Sequence, residues 1–304
     1  MKKRVLNAWP STRASPQGEW VSRLVLETTA LPGDIQVERF REGQGPDHVL
    51  RITLDDIGLT MAEDDILVAD GLIKTVRVRA GENNRSVNVE IILEHPVEAR
   101  VLTNPGLPST VEIIFPRDPL ITLFNGHRIG IDPGHGGRDR GVRGPVNLLE
   151  KDVVLQIAQE LSSLLKQSGA EPVVSRQDDT ELDDDARHRI ISEGRAELCV
   201  QLHTSADKDP MVQRYRLFVK RDCDKSLTLA TELKSALKER MGINIPGYEF
   251  IEDTRWSIPV VRIEPLCLSH FVDEANFRAP LFRKRIAQSI YNGIARYLRK
   301  FGTT

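Results

Sequence analysis

Short runs of hydrophobic residues alternate with polar residues over the first 116 positions of the 304-residue chain. These runs are rich in Val, Ile, Leu and Thr, which is typical of half-buried β-strands. Turn-forming clusters separate them, for example at residues 31–33, 43–46 and 104–106. Many short strands at regular spacing predict an all-β sandwich. We therefore predict an all-β domain over residues 1–122.

The pattern changes after a short boundary at residues 116–125. Apolar residues then recur every three or four positions in four segments, which predicts helices. The helical segments are residues 149–167, 183–194, 225–241 and 279–299, and the strand-like runs between them are residues 129–131, 171–175, 198–202, 214–219 and 259–263. Alternating strands and helices predict an α/β domain over residues 123–304, with a mainly parallel twisted sheet flanked by helices.

The amino-acid composition excludes some classes of function but does not identify one. The chain is 40% hydrophobic and 28% charged, as globular proteins are, and its net charge of −2 gives no sign of nucleic-acid binding. No apolar run is long enough for a transmembrane segment. The first residues carry basic side chains but no apolar signal segment, so we expect either a cytosolic protein or one whose leader is absent from this sequence. The three cysteines form no CxxC pair and no even disulfide framework.

Candidate chemistry is concentrated where predicted strands end. His135 lies in a glycine-rich turn just after a strand, Glu150 in the first turn of the next helix, and His203 directly after the strand at residues 198–202. Because parallel strands end at one edge of a sheet, we expect these side chains to converge. Two imidazoles and a carboxylate are the ligand set of catalytic zinc, which keeps one position open for water.

Glu264 follows another apolar strand and is predicted at the same edge. A partly desolvated carboxylate there would suit a base that moves the proton of a water. Other interpretations stay open at this point. Glu150 also favours the helix dipole, His203 could be structural, and Glu264 could belong to an ordinary salt bridge.

Five segments in order carry a family resemblance: IDPGHGGRDRG, LEKDVVLQIAQELSSLL, SRQDDTELDDDARHR, VQLHTSAD and SIPVVRIEPLCLS. Through them, residues 128–300 resemble the zinc-dependent N-acetylmuramoyl-L-alanine amidases. The resemblance implies Zn²⁺ as cofactor, His135, Glu150 and His203 as its ligands, and Glu264 as the catalytic residue. Residues 1–116 resemble the AMIN domain more loosely, through VLNAWPS, SRLVLET and LIKTVRVRAG. That domain implies targeting or peptidoglycan binding.

The implied function is hydrolysis of the amide between N-acetylmuramic acid and L-alanine, in cell-wall remodelling or daughter-cell separation. It implies peptidoglycan as the substrate, an activator or septal protein as a possible partner, and a periplasmic or otherwise extracytoplasmic location. One alternative is a catalytically silent peptidoglycan-binding or scaffold protein that keeps the amidase fold. Another is a zinc hydrolase that acts on a different amide.

The chain departs from the family pattern around the second histidine and the catalytic glutamate, at Gln201, Ser205, Pro265, Leu266, Cys267 and His270. These departures bear on substrate contacts and rate. For Cys267 and His270 we favour core packing or surface positions over extra metal ligands. The short segment between His203 and Glu264 leaves little room for an autoinhibitory helix, so we predict an accessible zinc.

Two further features are interpreted as structural. We expect Arg176 and Arg187 to hold the connection between sheet and helix. The acidic run at residues 178–185 lacks the pattern of a calcium loop. We predict that it is a solvated loop ending in an Asp that caps a helix.

Overall fold

The computed structural model describes residues 2–15, 18–41, 48–251 and 255–301; the predicted turn at residues 43–46 lies outside them. The chain divides into two compact units, Met1–Leu120 and Ile121–Thr304. The predicted domain boundary, between residues 122 and 123, falls inside a helix, α1 (Asp118–Phe124).

Two five-stranded sheets make up the described part of the first unit, so its predicted strand-rich character is confirmed. One sheet has the order β5-β1-β2-β10-β9 and the other β3-β4-β8-β7-β6. The strands are β1 (Arg4–Ala14), β2 (Trp20–Thr28), β3 (Ile35–Arg41), β4 (His48–Asp55), β5 (Gly58–Leu59), β6 (Asp64–Leu67), β7 (Ile73–Ala80), β8 (Ser86–Leu93), β9 (Arg100–Asn104) and β10 (Ser109–Pro116).

Alternation of side chains explains how these strands bury their core. Strand β2, in the middle of its sheet, is buried on both faces, with Leu24 and Val25 on opposite sides. In β10 every second residue is buried, as Ile113 illustrates, and Ile52 of β4 and Val89 of β8 lie in similar alternating patterns. This is the pattern expected of strands with one buried face.

A buried ion pair also stabilises the first unit. The Arg117 guanidinium donates to Ser22 Oγ at 2.8 Å, to Asp70 Oδ2 at 3.3 Å and to the Asp70 carbonyl at 2.9 Å. Both charged side chains are less than 10% exposed. Because a buried charge without its partner is costly, each depends on the other.

The second unit is an α/β fold around a six-stranded mixed sheet with the order β12-β11-β13-β16-β14-β15. Four of its pairings are parallel, whereas β14 runs antiparallel to β16. Its strands are β11 (Arg128–Pro133), β12 (Glu171–Val174), β13 (Leu198–Leu202), β14 (Arg216–Lys220), β15 (Glu249–Ile251) and β16 (Val260–Glu264). Its helices are α2 (Glu150–Gln167), α3 (Asp184–Glu193), α4 (Asp224–Met241), α5 (Phe271–Arg278) and α6 (Pro280–Phe301).

The two faces of this sheet are covered differently. On one face Ile131, Val200, Val261 and Val219 are completely buried. The helices α2 and α4 pack on the sheet, and α6 packs against both of them. The other face carries Asp132 and contacts α3, mainly over β11 and β12. On this face Ile191 of α3 and Trp256 also pack with Cys199 of β13 and Val260 of β16. Towards the carboxyl end of β16 the face is more open, since Arg216, Phe218 and Arg262 are all partly exposed.

Sequence periodicity missed the two shortest helices. The short boundary at residues 116–125 was assigned no element, but α1 forms there and buries Leu120 and Phe124. Helix α5 is also unpredicted; its N-cap His270 accepts from the backbone N–H of Asp273. Seven or eight residues hold too few turns for a periodic pattern to emerge. None of the helices described combines the length and apolarity needed to cross a bilayer.

We expect Arg117→Met to lower the free energy of unfolding of the first unit by about 3–5 kcal/mol, because the buried Asp70 carboxylate loses the guanidinium with which it forms an ion pair. The matched control is Arg79→Met, since Arg79 pairs with Asp65 but is 42% exposed. That change should cost less than about 1 kcal/mol. Urea denaturation of both variants measures the difference. Equal losses would show that the Arg117–Asp70 pair does not support the fold.

Candidate metal centre

His135 is held in a left-handed backbone conformation, with φ of 59°. Such a conformation is uncommon for a non-glycine residue and needs support from its surroundings. Two buried arginines supply it. Arg187 donates to the carbonyls of Pro133 at 2.7 Å and His135 at 2.6 Å, and Arg176 to those of Pro133 at 3.0 Å and Gly134 at 2.8 Å. The structure thus confirms that both arginines hold the turn after β11.

Asp132 is the anionic partner that allows Arg187 to be buried. Its carboxylate accepts from Arg187 Nη1 at 2.9 Å, Ser175 Oγ at 2.6 Å and Gln201 Nε2 at 3.0 Å. Burial acts to raise the pKa of Asp132, but Arg187 and the hydrogen bond from Ser175 outweigh it and hold that pKa below its ordinary value. Gln201, a departure from the family pattern, is therefore part of this network.

His135, Glu150 and His203 converge at the carboxyl edge of the sheet, and their ligand atoms all lie within 4.8 Å of one another. Glu150 lies between the two rings: its Oε2 is 3.2 Å from His135 Nε2 and its Oε1 is 3.1 Å from His203 Nδ1. The rings meet edge to face with centroids 5.0 Å apart. Within the described ranges this is the group of His, Cys, Asp and Glu side chains that could hold a metal ion.

Backbone donors fix the Glu150 carboxylate from the other side. The N–H of Thr204 donates to Oε1 at 2.7 Å and that of Val142 to Oε2 at 2.8 Å. Burial acts to raise the pKa of Glu150, yet the two histidines and the backbone donors lower it overall, so the carboxylate is ionised. An ionised carboxylate is the form that binds a cation.

Asp139 orients the first histidine. Its Oδ2 lies 2.8 Å from His135 Nδ1, on the ring nitrogen that does not face Glu150. Burial acts to lower the pKa of His135, but Glu150 and Asp139 outweigh it and raise that pKa. Carboxylates in this position fix the tautomer and the ring orientation of metal-binding histidines.

Two glycines leave the space that these side chains occupy. A Cβ on Gly134 would lie 2.2 Å from His203 Cε1. A Cβ on Gly141 would lie 2.5 Å from His135 Cδ2 and 2.6 Å from Glu150 Oε2, and the φ of Gly141 is +61°. The sequence motif indicated close approach around His135; the structure shows that the approaching groups are the other members of the cluster.

Glu264 ends β16, next to His203, which directly follows β13. The two segments are joined by a hydrogen bond from His203 N to Ile263 O of 3.0 Å. The Glu264 residue is 6% exposed and accepts from Arg216 Nε at 2.8 Å. Burial raises the pKa of Glu264, partly opposed by Arg216 and His203. Arg216 was not predicted, because its contact depends on β14 running antiparallel to β16, which the sequence does not reveal.

The other departures serve structural contacts. Ser205 Oγ donates to the carbonyl of Arg214 and, at 3.3 Å, to that of Leu266. Cys267 is completely buried, and its N–H donates to Asp273 Oδ2 at 3.0 Å. His270 is a buried helix cap. In the described structure neither Cys267 nor His270 belongs to the metal-binding group, which agrees with the packing interpretation.

The cluster is accessible from outside. The side chains of His135 and His203 are 22% and 19% exposed. Between His203 and Glu264, α4 is the only helix that the described residues form. This arrangement fits the predicted open site.

The acidic run before α3 caps that helix and also contacts the turn that follows His135. Asp183 caps α3 by accepting from Ala186 N at 2.7 Å, which confirms the expected cap. Asp179 accepts from Gly137 N at 2.9 Å and from Lys151 Nζ at 2.6 Å. The run is largely exposed, as predicted for a solvated loop, and through Asp179 it also binds the turn that follows His135.

Comparison with known families identifies the chain. The family model described as "Amidase_3: N-acetylmuramoyl-L-alanine amidase" matches residues 129–296, more than half of the sequence. The chain belongs to this N-acetylmuramoyl-L-alanine amidase family. The match includes all four residues predicted for the site, from His135 to Glu264.

Individual relatives are similar over the same region. N-acetylmuramoyl-L-alanine amidase LytC of Bacillus subtilis is 29% identical over 179 residues, covering 57% of this chain but only 36% of LytC. The probable cell wall amidase LytH of Staphylococcus epidermidis is 29% identical, covering 57% of this chain and 59% of LytH. The chain thus spans less than two thirds of the length of these relatives.

Solved amidase structures share the fold of the second unit. The amidase AmiC2 of Nostoc punctiforme has a TM-score of 0.54 and 26% identity, over 58% of this chain and 99% of AmiC2. The catalytic domain of CwlV from Bacillus (Paenibacillus) polymyxa has a TM-score of 0.54 and 27% identity, over 57% and 98% of the two chains.

We expect Gly141→Ala to weaken binding of added Zn²⁺ at this candidate centre by about tenfold or more, because the new Cβ would displace His135 and Glu150 and the backbone is strained. Gly247→Ala is the matched control, since a Cβ there has no atom within 4 Å. Competition with a chelator of known affinity measures zinc binding in both variants. Unchanged zinc affinity in Gly141→Ala would mean that these side chains are not the metal ligands.

Proposed function

We propose that this protein hydrolyses the amide between N-acetylmuramic acid and L-alanine in peptidoglycan, with a zinc ion held by His135, Glu150 and His203. The observation that carries the proposal is the convergence of these three side chains at the sheet edge, with Glu264 on the adjacent strand. Membership of the amidase family supports it.

The donor set fits zinc. Two imidazoles and one ionised carboxylate are typical of catalytic zinc sites, and Gly134 and Gly141 leave room for the three side chains to meet. The chemistry that zinc supplies in such a site is polarisation of a carbonyl and a water whose pKa is lowered toward neutrality.

Residues of this chain transfer the proton and hold the side chains of the site in position. Glu264 takes a proton from the attacking water and returns it to the nitrogen of L-alanine as the amide breaks. Burial raises the pKa of Glu264 and so strengthens it as a base, while Arg216 keeps the carboxylate in place. Asp139 holds the ring of His135, and the N–H groups of Thr204 and Val142 hold Glu150.

The competing proposal is a catalytically silent protein that only binds peptidoglycan. A binding protein has no need of a buried carboxylate beside the metal ligands, and Glu264 is held there by Arg216. The hydrolase is therefore the better-supported function. Hydrolysis of a different amide by the same site is a third possibility, which would leave peptidoglycan uncleaved by the zinc-loaded protein.

For the first unit we propose an AMIN-like β-sandwich, residues 1–122, that binds peptidoglycan or targets the enzyme to it, with residues 123–304 as the catalytic domain. Action on peptidoglycan places the protein in the periplasm or elsewhere outside the cytoplasm. Relatives named cell wall amidases support this location. An activator or septal protein is a further proposed partner.

Glu264→Gln tests the role of the base. We expect kcat for release of peptide from peptidoglycan to fall by about 10²–10⁴-fold with zinc content unchanged, because the amide still accepts from Arg216 but cannot take a proton. Exposed Glu193→Gln is the control and should keep full activity. If the zinc-loaded wild type releases no peptide, the binding-protein proposal replaces the hydrolase. If Glu264→Gln remains fully active, the base lies elsewhere.

Deletion of residues 1–116 tests the role of the first unit. We expect hydrolysis of soluble muropeptides to be retained, because the candidate site lies entirely in the second unit. Binding to insoluble peptidoglycan, measured by co-sedimentation, should fall. Undiminished sedimentation would exclude the proposed binding role.

A further inference from the structure

We propose that Arg262 and Arg216 form an anion subsite beside Glu264, which binds a carboxylate in the peptide part of the substrate. We call these two residues the arginine pair. The inference rests on the proposed function. It adds a preference for substrates that carry a free carboxylate in the peptide.

The arginine pair lies on the same face of the sheet as the candidate site. Arg216 is the cross-strand partner of Glu264, and Arg262 is the cross-strand partner of Phe218. The Arg216 guanidinium carbon is 5.1 Å and that of Arg262 is 5.9 Å from the centroid of the Phe218 ring. One aromatic ring therefore contacts both cations, and Arg216 also contacts the carboxylate of the proposed base.

The charge of Arg262 has no anionic partner in the described structure. Its Nε is buried without a hydrogen-bond partner, and so is Oε1 of Gln201, its neighbour on β13. The Gln201 amide nitrogen is already committed to Asp132, and the Asp132 charge is matched by Arg187. Glu249, the partner of Phe218 on β15, is exposed and forms no ion pair with Arg262 among the described residues. Holding a guanidinium half-buried without a counter-charge is unfavourable unless a ligand supplies one.

A ligand can reach this position. Trp256 packs on Val260 at the start of β16, but towards the carboxyl end of that strand Arg262, Arg216 and Phe218 are all partly exposed. Arg216 uses its Nε for Glu264, and its side chain remains 32% exposed. The guanidinium ends of the pair thus offer several N–H donors in the planar arrangement that matches a carboxylate.

The chemistry of the substrate indicates that the carboxylate bound by the arginine pair belongs to the peptide. The carboxyl group of the muramoyl part is itself consumed in the bond to L-alanine, so free carboxylates are found in the peptide that follows. The peptide nitrogen is also the group to which Glu264 returns its proton. Because Arg216 contacts Glu264, a subsite at the arginine pair lies on the side of the scissile amide from which the peptide is released.

The test compares two substrates on the zinc-loaded full chain: N-acetylmuramoyl-L-alanyl-D-glutamate and the same compound with both carboxylates converted to carboxamides. We expect kcat/KM of the wild type to be about tenfold to a hundredfold higher for the free acid. Arg262→Gln should remove this preference, so that the two compounds react at similar rates. Arg262→Lys should restore part of it. Exposed Arg285→Gln makes the same charge change on α6 and should keep the full preference.

Arg262 is the sharper position to vary, because Arg216 also contacts Glu264. Thermal melting shows whether Arg262→Gln folds, and the comparison of the two substrates on the wild type needs no variant. Equal rates of the wild type on both compounds, or a preference that survives in folded Arg262→Gln, would overturn the subsite while leaving the hydrolase intact.

Measurements of ligand binding test the subsite independently of the proposed hydrolysis. Calorimetry with L-alanyl-D-glutamate and its diamide measures the subsite whether or not the protein hydrolyses the substrate. Tighter binding of the acid by about tenfold, lost in Arg262→Gln and kept in Arg285→Gln, supports the subsite. Equal binding of the two dipeptides overturns it. Absence of hydrolysis of every compound counts against the proposed function alone.

Discussion

The buried ion pair of Asp132 and Arg187 is the interaction on which the candidate site depends. Arg187 neutralises Asp132 and at the same time holds the carbonyls of Pro133 and His135. The uncommon backbone of His135 follows from these contacts. Without the carboxylate the guanidinium could not remain buried, and without the guanidinium the turn would lose two of its hydrogen bonds. A structural ion pair thus sets the position of a candidate metal ligand.

The sequence was informative where function depends on the ends of strands. His135, Glu150 and His203 could be named because each follows or begins a regular element, and parallel strands bring such positions together. The long helices were predictable from their periodicity. The helices α1 and α5 were not predictable, because one or two turns contain too few residues to show a periodic pattern.

Contacts that depend on strand direction could not be predicted. Arg216 meets Glu264 only because β14 is antiparallel to β16, in a register that no local pattern specifies. Gly141 likewise looked like part of a glycine-rich turn, and its role in leaving space for His135 and Glu150 requires three segments to be in place at once. Local propensity specifies elements, whereas neighbours across a sheet are decided by the whole topology.

The position of α6 has a consequence for how the second unit acquires its fold. This helix packs against α2, which follows the first strand of the sheet, and against α4. Tyr291 of α6 stacks on Phe124 at 4.8 Å and shares a 2.6 Å hydrogen bond with Ser168. The apolar faces of the earlier helices therefore stay uncovered until α6 has been synthesised. Such long-range closure makes folding slow and leaves the incomplete chain prone to aggregation, which favours assistance by a chaperone during synthesis.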